Sequence, residues 1–325
     1  MALAGVLSPG CAQLQDLFAP LRVGDWPALV EDIRTFERRI GFQPTHNFRR
    51  FAPEESAYSF CGYASRFVLP YSYEDPAIRW AVAETREQCG EMGGPGADSY
   101  FATVEVLGET GAQVTAAMAG SRLERFLYVV LHEDCHDQFD LPYGVEEALC
   151  DVLAYRAMAV FADERFGARA REDRTVRRYG DVESRRARET KEYYEQLERL
   201  YVRYERKEVS SERLLGERER IFATAGRAIA WKGAPLNNVV MANHMTYSRH
   251  YPFLEGVLEA HDYDLARAVA FFREVDRAKP APAAVMRQHA IGAEKSAAFL
   301  RAYEAAVIET MRKALAARGI TITPR

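Results

Sequence analysis

The sequence has no run of 18 apolar residues, which excludes a membrane-spanning helix. It has no excess of positive charge either. Its 43 Lys and Arg stand against 47 Asp and Glu, a net charge of −4, whereas a nucleic-acid-binding protein needs a basic face. No internal repeat and no low-complexity linker divides the chain, so 325 residues with 48% apolar content read as a single unit. Cysteine is sparse. The five (Cys11, Cys61, Cys89, Cys135 and Cys150) have none of the spacings of a zinc-binding cysteine cluster. Histidine is sparse too, with seven in the chain, and two of them fall four residues apart.

Those two, His132 and His136, belong to the run Leu131-His132-Glu133-Asp134-Cys135-His136. Residues four apart share one face of a helix, so both imidazoles can grip one metal ion. Glu133 sits about 100° around that helix from His132, close enough to reach a water at the metal without being a ligand. The preceding Leu123, Phe126, Leu127, Tyr128, Val129, Val130 and Leu131 carry the helix into the core. Two histidines and a glutamate buried there need something to pair with, and one zinc ion per chain is the simplest answer. Catalytic zinc takes three protein ligands, and Glu147, eleven residues after His136, supplies the third from a second helix. Glu146 is the competitor. Asp151 favours Glu147, because it lies one turn further on the same face and can hold the outer nitrogen of a ligand histidine. Glu146 then stacks with Cys150 and is expected to be dispensable for metal.

The run Glu147-Ala148-Leu149-Cys150-Asp151 resembles the Glu-Ala-Ile-Ser-Asp run of the gluzincins, the zinc peptidases whose third ligand is Glu. Further on, Pro235-Leu236-Asn237-Asn238 leads to Asn243-His244-Met245-Thr246-Tyr247, followed by Tyr251-Pro252-Phe253 and Asp264-Leu265-Ala266-Arg267. This is similar to a bacterial aminopeptidase family that joins a His-Glu-x-x-His helix to a nearby Glu and a Leu-Asn-Asn…Thr-Tyr segment. The match spans roughly residues 120–275. It departs from the family in a shorter spacer before Glu147 and in its amino-terminal region. The resemblance implies a zincin-like core, an active-site helix beside a small sheet, and zinc-dependent cleavage of peptide bonds. It also implies Tyr247 as donor to the oxyanion, with His244 and Asn238 as other donors from the same segment.

Around the motif the texture changes along the chain. Residues 1–119 are mixed: Asp25-Trp26-Pro27 starts a helix to about Ile40, and residues 57–71 look like strands. Residues 99–107 and 113–119, joined across a Gly-Glu-Thr-Gly turn, read as a β-hairpin whose edge would hold a substrate backbone. Glu105 on it is a candidate for a substrate α-amine, set against an ordinary exposed strand glutamate. Residues 120–163 carry the metal helices. Residues 164–220 are dense in charge of mixed sign, with a thin apolar stripe at Tyr193, Leu197, Leu200, Tyr201 and Tyr204, so a long solvated helix with one docked face is expected. The rest, to residue 325, is helical with breaks at Gly233-Ala234-Pro235, near Asp262 and at Pro280-Ala281-Pro282. The fold class that follows is α+β, mostly α, with a long charged helix and a C-terminal helical region.

The cysteines on the motif helices, Cys135 and Cys150, face away from the proposed ligands and read as core packing; Cys61 and Cys89 pair if the protein is exported. The amino terminus reads as an ordinary tail of a cytoplasmic protein, against the alternative of a truncated lipoprotein signal ending near Cys11. The expected activity is hydrolysis of a peptide or other amide, with Glu133 activating water. Two other readings stay open: a zinc amidase of a non-peptide substrate, and a catalytically silent metal-stabilised scaffold.

Overall fold

Asp25-Trp26-Pro27 starts a helix for the reason its residues suggest. The Asp25 side chain accepts from the Ala28 amide and Pro27 fits the first turn. The helix α1 (Trp26–Arg39) then buries Leu29, Val30, Ile33 and Phe36. The computed structural model of the chain describes residues 21–53, 58–104 and 111–322. Cys11 and Glu105, and the roles expected of them, lie outside the described residues. Within these residues the fold is α+β and dominated by helices. No helix among them is long and apolar enough to cross a membrane.

The strand β2 (Tyr58–Ser65) is the centre of an antiparallel sheet, flanked by β3 (Arg79–Ala81) and β4 (Ala97–Val104). Gly62 on β2 lies opposite Trp80, and a Cβ there would stand 2.6 Å from the indole. The absent side chain is what lets the ring lie across the sheet. On the other face, Cys61 is disulfide-bonded to Cys89 of α2 (Arg86–Gly93). A second, minimal sheet pairs β1 (Phe51–Ala52) with β5 (Val114–Thr115) in parallel.

This topology overturns the hairpin expected from residues 99–119. The strand β4 pairs with β2, β5 pairs with β1, and the chain after Thr115 is a helical turn, α3 (Ala116–Ala119). The Thr115 side chain accepts from the Met118 amide as a helix cap, and Ala-Ala-Met-Ala contains no β-branched residue to hold a strand.

Helices α4 (Leu123–His136) and α5 (Tyr143–Phe166) share one large apolar core that includes Leu127, Val130, Leu131, Ala148, Leu149 and Val152. The charged segment is two helices rather than one. After α6 (Arg171–Glu205) the chain turns, with Lys207 at φ 60°, into α7 (Ser211–Ala228). Of the expected stripe, Leu197, Leu200 and Tyr201 are buried, Tyr193 and Tyr204 pack half-buried against them, and Tyr194 is fully buried beside them. The helices α8 (Asn238–Ser248), α9 (Tyr251–Ala260), α10 (Leu265–Ala278), α11 (Pro282–Gln288) and α12 (Ala297–Ala316) follow, with the chain interrupted at the three breaks read from the sequence and at two more, after α8 and after α11.

The three-stranded sheet packs on α8 through Ala64, Ile78, Val239 and Ala242. One buried ion pair fixes that arrangement. Arg218 of α7 makes two hydrogen bonds to Asp98 of β4, at 2.7 and 3.0 Å, and the Asn238 amide donates to the same carboxylate at 3.0 Å. Asn237 caps α8 and also donates to Ser99 O at 2.7 Å. Removing one member of a buried pair leaves the other charge uncompensated. Asp98→Ala should therefore lower the unfolding free energy by about 3–5 kcal/mol in urea denaturation. A loss below about 1 kcal/mol would show that this contact does not hold the sheet to the helices.

Candidate metal centre

His132 and His136 leave the same face of α4, and Glu147 comes to meet them from the second turn of α5. His132 Nε2 stands 3.1 Å from Glu147 Oε2, His136 Nε2 stands 3.4 Å from the same oxygen, and the two Nε2 atoms are 3.2 Å apart. The three donor atoms make a nearly equilateral triangle. Donors around a tetrahedral zinc, with bonds of about 2.0–2.1 Å, stand about 3.3 Å from one another. The donor set fits a metal ion of that kind. Glu146 points elsewhere.

Its carboxylate lies on the far side of His136, with Oε1 2.9 Å from Nδ1 and Oε2 accepting from the Leu141 amide. Glu146 therefore does not merely stack with Cys150, as expected from the sequence; it holds the ring of His136. Asp151 does the same for the other. Its Oδ1 is 3.1 Å from His132 Nδ1, an ion-pair distance, although the ring N–H points off the hydrogen-bond line. That same oxygen accepts a 2.7 Å hydrogen bond from the Tyr128 hydroxyl, and the Tyr128 ring lies 5.0 Å from that of His132. Tyr128 is one turn before His132 on α4, a position that sequence spacing could have flagged.

Burial and charge pull the ionisation states in opposite directions. For His132, burial acts to lower the pKa, and contacts with Asp151 and Glu147 override it, raising the group to about 9. For His136, burial again acts downward, and Glu146 and Glu147 lift it to about 11. Glu147 is pushed up by burial and held far down by the two histidines, well below the usual carboxylate range. Glu133, which takes no part in the triangle, is raised by burial above an ordinary glutamate.

A cavity of about 700 Å³ opens over this cluster. Glu133, Tyr143 and Tyr247 line it beside the ligands, Phe60, Tyr100 and Val104 line it from the sheet, and Trp231, Asn243 and His244 close another side. The Tyr247 ring lies 6.3 Å from that of His132, and burial keeps its phenol protonated. Of the other donors read from that segment, His244 reaches the cavity. Asn238 does not: it is fully buried, and its amide nitrogen is spent on Val68 O and Arg66 O. One wall was not foreseen. Tyr179, Glu183, Arg186, Ala187 and Thr190 of α6 line the cavity at helical spacing, so the docked face of the charged helix continues past its apolar stripe into the site. Arg186 is held there by Glu183 at 2.6 Å and by Ile229 O at 2.9 Å.

Cys135 and Cys150 lie in the core as expected, but they are also joined in a disulfide that links α4 to α5, and Cys150 does not face away from the site, its Sγ standing 4.0 Å from His136 Nδ1.

Comparison with protein-family models, curated proteins and solved structures finds no match to this chain.

Two outcomes follow. Zinc-equilibrated protein should hold about one ion per chain, and His132→Ala, His136→Ala or Glu147→Ala should remove it. Glu146→Ala and Asp151→Ala should each weaken binding by about 10- to 100-fold in chelator competition. An unchanged affinity in Glu146→Ala would restore it to a bystander. The second outcome concerns His244, which burial, helped by Arg186, pushes down to about 4. An unfolded histidine titrates near 6.5, so between those values the unfolded chain binds more protons and stability rises with pH. In chelator, His244→Gln should lose up to about one proton of that slope between pH 4 and 6.5. An identical slope in both proteins would show that His244 is solvated.

Proposed function

We propose that this chain is a zinc-dependent peptidase with a zincin-like active site. The observation that carries the reading is Glu133, a carboxylate outside the ligand triangle yet on the same cavity, one residue from His132. A structural metal site has no use for it. The Glu147-to-Asp151 run and the Leu-Asn-Asn…Thr-Tyr segment support the same reading through their resemblance to gluzincin aminopeptidases.

Bound by His132, His136 and Glu147, zinc would supply Lewis acidity, polarising a carbonyl and bringing the pKa of water towards 7. The chain's own groups do the rest. Glu146 and Asp151 hold the imidazoles in place, so that the Nε2 atoms stay directed at the centre. Glu133 takes a proton from the attacking water and returns it to the leaving nitrogen, which departs as a neutral amine. Its raised pKa moves it towards the range in which one group can serve both as base and as acid. The Tyr247 hydroxyl, neutral at working pH, donates to the carbonyl oxygen as charge develops on it. The sheet lies across the cavity from α4, and its edge strand β4 presents Tyr100 and Val104 to a substrate in extended conformation.

Glu133→Gln separates chemistry from binding, because it keeps the size of the side chain and removes its basicity. The variant should retain zinc and thermal stability, lose at least ~100-fold in kcat on peptide substrates and keep its KM. Near-wild-type turnover in that variant would rule out the mechanism. A zinc-loaded wild-type protein that cleaves no amide would rule out the function.

A further inference from the structure

The metal triangle and a disulfide span the same short stretch of chain. Cys135 immediately precedes His136, and Cys150 lies three residues after Glu147 and immediately before Asp151. Both cysteines are fully buried between α4 and α5. Cys150 Sγ stands 4.0 Å from His136 Nδ1, the nitrogen that Glu146 holds. A metal bound by His136 and Glu147 closes the loop 136–147, and the disulfide closes the loop 135–150 around it.

We propose that the Cys135–Cys150 disulfide and the metal are thermodynamically coupled, so that the centre holds its metal tightly only in the oxidised protein. Closing a loop costs chain entropy, and two cross-links that close nearly the same loop share that cost. The disulfide thus holds His136 and Glu147 near their mutual distance before a metal arrives, and the metal holds the two sulfurs together. Linkage makes the effect reciprocal: the factor by which oxidation tightens metal binding is the factor by which metal favours the disulfide. Reduction breaks the S–S bond with two electrons and two protons, leaving two thiols. A dithiol supplies both and becomes a disulfide itself. Because both sulfurs are buried, a reductant reaches them only when α4 and α5 part, a movement that a bound metal opposes. The pair Cys61–Cys89 is a built-in control, since it ties β2 to α2 on the sheet face turned away from α8.

The inference rests on the metal-centre reading and not on peptidase activity. Zinc affinity would be measured by chelator competition on oxidised protein and on protein reduced with a phosphine, which converts the disulfide to two thiols as it takes up the oxygen of water. Thiol counting and far-UV circular dichroism would accompany each sample. The same measurement would be made on Cys135→Ala/Cys150→Ala and on Cys61→Ala/Cys89→Ala. Zinc should bind about 10- to 100-fold more weakly to the reduced protein and to the first double variant, with the second double variant unchanged. In wild type, bound zinc should also slow reduction of one disulfide by at least about 10-fold, a result that stands even if the reduced form proves unstable. Equal affinities in the oxidised and reduced forms, or equal reduction rates with and without zinc, would overturn the coupling and leave the metal centre intact. Oxidised protein that binds no zinc would overturn both.

Discussion

Glu147 reaches both ligand histidines from a neighbouring helix, and it does so inside the apolar core that α4 and α5 share. That constraint explains much of what surrounds it. Glu133, Glu146, Glu147 and Asp151 bring four carboxylates to the cavity beside two imidazoles. Such a concentration of charge is tolerated in a core only if positive charge balances it. The carboxylates around them hold both histidines above the ordinary imidazole range, in the direction that favours their charged form. A dication held by the proposed ligands would do the same, and it would bind more tightly as pH rises because the ligands must be deprotonated.

The rest of the fold supplies fixed walls for this cluster. The Asp98–Arg218 pair and the Asn237–Asn238 cap seat α8 on the sheet, and α8 in turn presents Tyr247 and His244 to the cavity. Glu304 on α12 contributes from a distance. Its carboxylate accepts from Tyr71 and His250 at 2.7 Å, and it lies so close to Gly144 that a Cβ there would stand 2.6 Å from Oε1. A glycine in the first turn of α5 thus lets the last helix pack against the start of the helix that carries Glu147.

What could be read from the sequence was what short-range periodicity encodes. His132 and His136 are one helical turn apart, as are Glu147 and Asp151, so their shared faces follow from spacing alone. The caps of α1 and the three C-terminal breaks were legible for the same reason. Pairings between distant segments were not. The strand β4 carries no mark that selects β2 over β5, and a glycine-containing connection between two strand-like runs suggested a hairpin instead. Asp151, one turn on, favoured Glu147 over Glu146 from spacing alone, but that Glu146 lies behind His136 follows only from the packing of α5 on α4. The disulfide of Cys135 and Cys150 depends on the same packing. The cavity face of α6 was hidden because polar side chains that line a site look, in sequence, like those that face solvent.

Everything proposed for this chain requires that His132, His136 and Glu147 form one metal-binding centre. The most direct measurement is an anomalous-difference map at the zinc edge, from crystals grown with zinc. One strong peak per chain is expected, about 2.0–2.2 Å from His132 Nε2, His136 Nε2 and a Glu147 carboxylate oxygen, with Glu146 and Asp151 still on the outer nitrogens. No peak at the triangle, or a peak coordinated by Glu146 in place of Glu147, would contradict it.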